Sequence, residues 1–233
     1  MIQLQVDELV EHYPRLWHMA HQDSWAAIRE HGLQSTSAIL DQYGVEGEAR
    51  KRLEEMRRPE SVPLQRAGLP GAVIRDQKPI KESALAGCLQ DGLQPSDWYR
   101  ILNAHSFFWL HRDRVRGLLK ARAYRNLEQT VLTVDTGSLV ASHKDRILLS
   151  PINSGATIYT PTPRGKNTFL RIEDFPFKER RRTRPLSGTV VELLVKYSVP
   201  DIADHVLAVH RVRGSDIIET IWRSDRATDD DCP

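Results

Sequence analysis

The stretch VVELLVKYSVPDI, residues 190–202, places one carboxylate, Glu192, inside a run of strand-forming apolar residues. Side chains alternate along a strand, so Val190, Glu192 and Leu194 share one face, with Val191, Leu193 and Val195 on the other. A carboxylate that points the same way as two aliphatic side chains has two readings. It lies on the wet face of an edge strand, or it forms the floor of a site.

Working outward, residues 159–188 read as a long irregular section that holds the chain's densest basic run, KERRRTR at 178–184. Such loops are uncommon in compact domains and are usually functional or mobile. The basic run has a plain reading, a solvated loop, and a sharper one, contact with a phosphate-bearing partner. Strands are expected at RLWHM (15–19), Phe107 to Leu110, Val131 to Val134, within RILLSPINSGA (146–156), around Glu192, and at HVLAVHRV (205–212), the last in the chain. Helices are expected at DSWAAIREH, capped by Asp23 or Ser24 and ended by Gly32, within STSAILDQYG (35–44) after a short loop, in EGEARKRLEEMRRPESV (46–62) up to its stop at Pro59, from about Ser96, and from about Asp113. Many short strands without β-helix-β alternation predict an α+β fold.

Composition narrows the class. A hydrophobic content of 40% and a charged content of 27% over 233 residues are those of a globular chain, read as one domain over 1–224 with a flexible acidic tail at 225–233. No apolar run is long enough to span a bilayer, which excludes a membrane partner, and the acidic N-terminus does not read as a secretory signal. Two cysteines, Cys88 and Cys232, suggest neither a disulfide framework nor a cysteine zinc site, so a reducing, cytoplasmic location is expected. No HExxH or paired-ligand spacing is present, so no metal is expected. Gly-rich phosphate loops are missing, and Ser154-Gly155 lacks the G-x-S-x-G elbow of hydrolases. Ser35, Thr36 and Ser37 read by default as helix-capping hydroxyls, and His18 alone as an ordinary strand histidine.

Taken together, LWHM (16–19), SWAAIREHGLQSTS (24–37), FFWL (107–110) and VVELLVKYSVPDI resemble the ADP-ribosyltransferase superfamily, and within it the DarT-like enzymes that modify DNA. In that group an early His-x-Thr strand precedes a helix ending in Gly-Leu, and the catalytic glutamate stands in a strand of the type AEVLV followed by Val-Pro. His18 matches the first motif; Glu192, with Val199 and Pro200, matches the last. Ala20 departs from the pattern by replacing the threonine, for which Ser35 or Thr36 is a substitute. The chain also resembles, over nearly its full length, a bacterial family without assigned function that shares HGL.ST, RDQKP, SPINSGA and ERRR.

The resemblance implies two small packed β-sheets forming an NAD cleft with flanking helices, and NAD as the substrate. It implies Glu192 as catalytic carboxylate and Arg75, in RDQKP, as the arginine that holds the reaction geometry, against the plain reading of a surface ion pair. His18, Met19, Gly32, Ser35, Thr36 and Trp109 become the cofactor-binding set, with Arg75 or Arg29 on the pyrophosphate. The segment before the glutamate reads the acceptor in this superfamily; here it offers Arg164, Lys166, Arg180, Arg181 and Arg182, which favour a nucleic acid, DNA more than RNA. Phe169, Phe175 and Phe177 either stack on bases or pin that segment to the core. A toxin role with an antitoxin protein partner belongs to the same resemblance. The alternatives are an NAD glycohydrolase, an RNA 2'-phosphotransferase, or an inactive nucleic-acid or protein-binding module of the same fold.

Overall fold

The computed structural model describes residues 2–158 and 161–233, so the start of the section expected to be irregular, Tyr159 and Thr160, lies outside the described residues. Twelve strands are present among them: β1 (Arg15–His21), β2 (Leu33–Gln34), β3 (Val62–Leu64), β4 (Ala72–Ile74), β5 (His105–Trp109), β6 (Glu128–Asp135), β7 (Ile147–Ser150), β8 (Leu170–Arg171), β9 (Glu192–Lys196), β10 (Ser198–Val199), β11 (Val206–Arg213) and β12 (Asp216–Arg223). Eight form one sheet in the order β12-β11-β6-β1-β5-β9-β7-β8, and β10-β2 and β3-β4 make two small ribbons. Every pairing within the sheet is antiparallel.

The expected pair of small packed sheets is therefore replaced by one large sheet, but a sheet with a seam. β1 matches β6 over seven consecutive residues, whereas β1 and β5 share only Trp17↔Trp109. Beyond that pair the two halves part. Trp109 in turn lies opposite Glu192, and Glu192 opposite Ser150, so a row Trp17-Trp109-Glu192-Ser150 crosses the seam.

Both faces of the sheet are covered. On one, the helices Ile2–His12 and Thr136–His143 bring Leu9, Leu139 and Val140 onto Leu132, Val134 and Leu193. On the other, the helix Arg112–Lys120 lays Val115 and Leu119 on Trp17, Met19 and Val131. Each fully buried aliphatic side chain contributes about 1.5–3 kcal/mol over an exposed one. A third cluster joins the helices Glu82–Cys88 and Pro95–Asn103 around Trp98. No helix among the described residues is long and apolar enough to cross a membrane.

Gly32 ends the helix Trp25–His31 at φ 82°, and a Cβ there would lie 2.5 Å from Pro200 Cα. The Gly-Leu and Val-Pro motifs are thus one packing contact, extended by the Leu33↔Val199 pairing of β2 and β10. The expected side-chain cap of this helix is not made, because Ser24 Oγ–H donates back to His21 O at 2.7 Å.

Several expectations are corrected. The helix Thr136–His143 and the strand β12, absent from the sequence reading, close the structure on two sides. The segment 166–189 is not irregular: it holds β8 and the helix Phe177–Thr183, which carries the basic run. Where a flexible acidic tail was expected at 225–233, Asp231 is 3% exposed and paired with Arg15, while Arg116 Nη2 donates to Pro233 O at 3.1 Å.

Candidate active site

A cavity of about 1040 Å³ opens where the sheet halves part, and Glu192, His18 and Arg75 all line it. Glu192 is the first residue of β9, between β5 and β7, so it stands on an interior strand and not at a wet edge. It is 3% exposed, and both carboxylate oxygens accept from Ser154 N–H, at 3.2 and 3.1 Å. Burial pushes its pKa up to about 7; the Ser154 hydrogen bonds and the charges of Arg114 and Arg164 pull the other way without cancelling the burial. Both protonation states are therefore accessible near neutral pH.

His18 faces the seam. Its Nδ1 lies 2.7 Å from Phe107 O, a carbonyl that can only accept, so Nδ1 carries the proton and Nε2 is left as an acceptor. Burial lowers its pKa to about 4 and neighbouring Arg75 adds to the fall, while the Phe107 bond opposes it. His18 is a neutral imidazole with a free lone pair at physiological pH.

Arg75 follows β4 and donates Nη1–H to Met19 O at 3.1 Å, its guanidinium lying 5.6 Å from the Tyr124 ring centre. Tyr124 is itself fixed by its hydroxyl, which donates to Asp76 Oδ1 at 2.6 Å. Arg75 makes no direct ion pair among the described residues, which sets aside the reading of an ordinary surface pair. Burial lowers its pKa, and most of its five N–H donors remain for an anion in the cavity.

Met19, Gly32, Ser35, Thr36 and Trp109 also line the cavity, whereas Arg29 is exposed and does not. Ser35 acts as its plain reading required: its Oγ accepts from Ala38 N–H and caps the helix Thr36–Gln42. Ala20 faces the cavity and supplies no hydroxyl.

The basic acceptor set divides. Lys166, Arg181 and Arg182 are exposed. Arg180 turns inward and donates to Thr189 O at 2.9 Å and to Gly188 O at 3.3 Å. Arg164 is 2% exposed; its guanidinium donates to the backbone carbonyls of Thr162, Ser154 and Ala156 and also meets the Cys88 sulfur. Neither is placed to touch an acceptor, because free carbonyls of the 150–165 and 185–189 turns have claimed them. The three phenylalanines pin the segment: Phe175 and Phe177 are buried, and Phe169 stacks on Trp98 with ring centres 5.4 Å apart.

Arg114 and Arg58 belong to the cavity wall and were not singled out from sequence; Ser154, also in the wall, was weighed there only as a hydrolase nucleophile. Ser154 carried a signal: it follows a strand in SPINSGA, and that strand pairs Ser150 with Glu192. Arg114 donates twice to Ser187 O, at 3.1 and 2.7 Å, and Arg58 braces the wall through Arg75 O and Asn103 Oδ1.

One group among the described residues has metal-ligand chemistry, His143, Asp201 and His205, with donor atoms within 4.8 Å of one another. Arg146 Nη2 donates to His143 Nδ1 at 2.7 Å, which places the His143 proton on Nε2, 2.6 Å from Asp201 Oδ1. The nitrogen a metal would need is already a donor, so the group fits a hydrogen-bonded brace better than a metal centre.

None of the curated proteins matches the chain. Among solved structures it is similar to the DarTG protein of Thermosipho africanus in complex with ADP-ribose, with a TM-score of 0.41, 12% identity, and an alignment covering 85% of this chain. The chain spans 44% of the length of that protein. A family model described as a family of unknown function, DUF7002, matches residues 14–206, a span that includes β1 with His18, the RDQKP segment and β9 with Glu192. The chain belongs to the DUF7002 family.

Proposed function

We propose that the chain is an NAD-dependent ADP-ribosyltransferase that transfers ADP-ribose to a nucleic-acid base, DNA in preference to RNA. The observation that carries this reading is the convergence of Glu192, His18 and Arg75, from distant parts of the chain, on one cavity. The sequence resemblance supplies the reaction, and the geometry supplies a group for each of its demands.

Breaking the bond between nicotinamide and ribose releases neutral nicotinamide and develops positive charge on the sugar. An ionised carboxylate beside it stabilises the transition state. Glu192 meets this need in a buried setting where charge interactions are strong. A cationic substrate drawn beside it lowers its pKa and selects the ionised form. The neutral His18 accepts a bond from a ribose hydroxyl, Arg75 holds the pyrophosphate, and Trp109, opposite Glu192 on β5, offers a flat wall to the nicotinamide ring. The acceptor atom then bonds to the ribose carbon and loses its proton.

The acceptor surface is smaller than the sequence implied. Lys166, Arg181 and Arg182, with Lys178 and Arg184, are exposed, and none has an ion-pair partner among the described residues, so phosphates are their natural counter-charge. Arg114 ties this surface to the cavity through Ser187.

The test is incubation with NAD and a single-stranded DNA oligonucleotide, read by mass spectrometry. Addition of one ADP-ribose, abolished by Glu192→Gln, is the expected result. NAD loss with an unmodified oligonucleotide identifies a glycohydrolase, and activity only on a 2'-phosphorylated RNA end identifies a phosphotransferase. Ala20 favours a second reading, a binding module of this fold without turnover; there NAD is not consumed and Glu192→Gln changes nothing.

A further inference from the structure

We infer that Arg164 is a positioning residue for Glu192, gripping Ser154, whose N–H holds the carboxylate, and placing a fixed positive charge behind it. The inference rests on the reading of Glu192 as the acid of the proposed reaction and adds to it the device that keeps that acid oriented and ionised.

Arg164 is buried, and its guanidinium donates Nη1–H to Ser154 O at 2.8 Å, Nη2–H to Ala156 O at 3.1 Å and Nε–H to Thr162 O at 3.1 Å. Its plane lies 5.8 Å from the Trp98 ring centre, and Trp98 Nε1–H adds a second donor to Ser154 O at 3.2 Å. Ser154 is thus held by two donors at its carbonyl while its N–H spans both oxygens of Glu192. Arg164 also has no carboxylate within ion-pair distance among the described residues. A buried cation held by three carbonyls and the Cys88 sulfur, with no carboxylate paired to it, is costly, and a neutral side chain could tie the same turn more cheaply. The charge is accounted for if Glu192 uses it.

Two charged groups act on Glu192: Arg164 from behind, and Arg114 from the helix Arg112–Lys120, which lines the cavity. Tyr13 acts on Arg114 and Cys88 on Arg164. A nearby cation favours the ionised carboxylate, so removing it moves the ionisation of Glu192 to higher pH.

The experiment uses the full chain and two readouts. The first is NMR titration of ¹³C-labelled glutamate carboxyls, with Glu192 assigned by Glu192→Gln. The second is the pH profile of NAD cleavage. Arg164→Gln is expected to raise the Glu192 midpoint by about one pH unit. NAD cleavage then falls roughly fivefold at pH 7, recovers at higher pH, and keeps its KM for NAD. Arg164→Lys, which keeps the charge, is expected to hold the midpoint near wild type. A folded Arg164→Gln with an unmoved midpoint, or an equal loss of rate at every pH, overturns the inference. Trp98→Phe reads the grip separately: it removes the second donor to Ser154 and keeps an aromatic ring, of smaller area, against Phe169 and Arg164; kcat is expected to fall several-fold at unchanged KM in a folded variant, and an unaltered kcat overturns it even if Arg164→Gln does not fold. If the wild type cleaves no NAD, the function fails while the titration still decides the coupling; if NAD is cleaved and the midpoint stays fixed, the inference alone fails.

Discussion

The two halves of the sheet are built to different ends. In β12-β11-β6-β1 the strands are long, and residues 129–134 of β6 are each paired on both sides, the bulges falling on β11 and β12. In β5-β9-β7-β8 they are short, the pairings running over five residues at most. Regular pairing satisfies every backbone group and leaves nothing for a ligand. Where β1 and β5 stop pairing, Phe107 O is freed to set the His18 tautomer, Met19 O to hold Arg75, and a cavity opens beside the row that contains Glu192. The site occupies the break in the sheet.

That contrast can be broken by substitution. Glu192→Gln, on the short-stranded half, is expected to lower NAD cleavage by roughly 10³-fold, the scale of lost transition-state electrostatics, with the fold intact by circular dichroism. Gly32→Ala, at the cavity wall where the β2–β10 ribbon packs, is expected to act chiefly on the fold. Its Cβ meets the Pro200 backbone at a positive φ, so stability should fall by about 3 kcal/mol or more in denaturant titration.

The buried acid also leaves a signature in stability. Glu192 has a folded pKa of about 7, above its unfolded value, so the folded state binds the extra proton; its contribution is fully present below about pH 4.5 and is lost as pH rises through 7. His18, lowered to about 4, acts oppositely, costing stability as pH falls below about 6.5. The two nearly offset in wild type between those limits. Glu192→Gln removes one side, so relative to wild type it should gain up to about 3 kcal/mol between pH 5 and pH 8. Melting curves of both proteins at the two pH values provide the check.

The smallest effects separate the inward and outward arginines. Arg181→Ala and Arg182→Ala should each weaken oligonucleotide binding by about 0.5–1 kcal/mol, less at high salt, without changing stability. Arg180→Ala, which loses bonds to Thr189 O and Gly188 O, should cost about 1–2 kcal/mol of stability and leave the salt dependence of binding unchanged. Fluorescence anisotropy across a salt series distinguishes them.

What was legible in the sequence follows from how each element is stabilised. β1, β5, β6, β9 and β11 are apolar runs buried on the sheet, and their positions could be read from composition alone. β12 could not. Its register against β11 skips Ile218 and Ile221, so its apolar residues come in doublets, Ile217-Ile218 and Ile221-Trp222, and the alternation that marks a strand is erased. The helix Thr136–His143 contains Thr, Gly, Ser and Val, all weak helix formers, and owes its form to Leu139 and Val140 packing on the core. In the site, the residue types of Glu192, His18 and Arg75 were readable because each stands in a distinctive local pattern. The inward turn of Arg164, alone in PTPRGKN, and of Arg180, within a run, was not, because neither context shows which arginine meets an unpaired carbonyl.

The most direct measurement is a crystal structure of the Glu192→Gln chain, soaked or grown with NAD. Intact NAD should span the opening between the sheet halves, with the nicotinamide ribose beside residue 192, the pyrophosphate on Arg75, and a ribose hydroxyl donating to His18 Nε2. NAD bound elsewhere, or an empty cavity at saturating NAD, would contradict it.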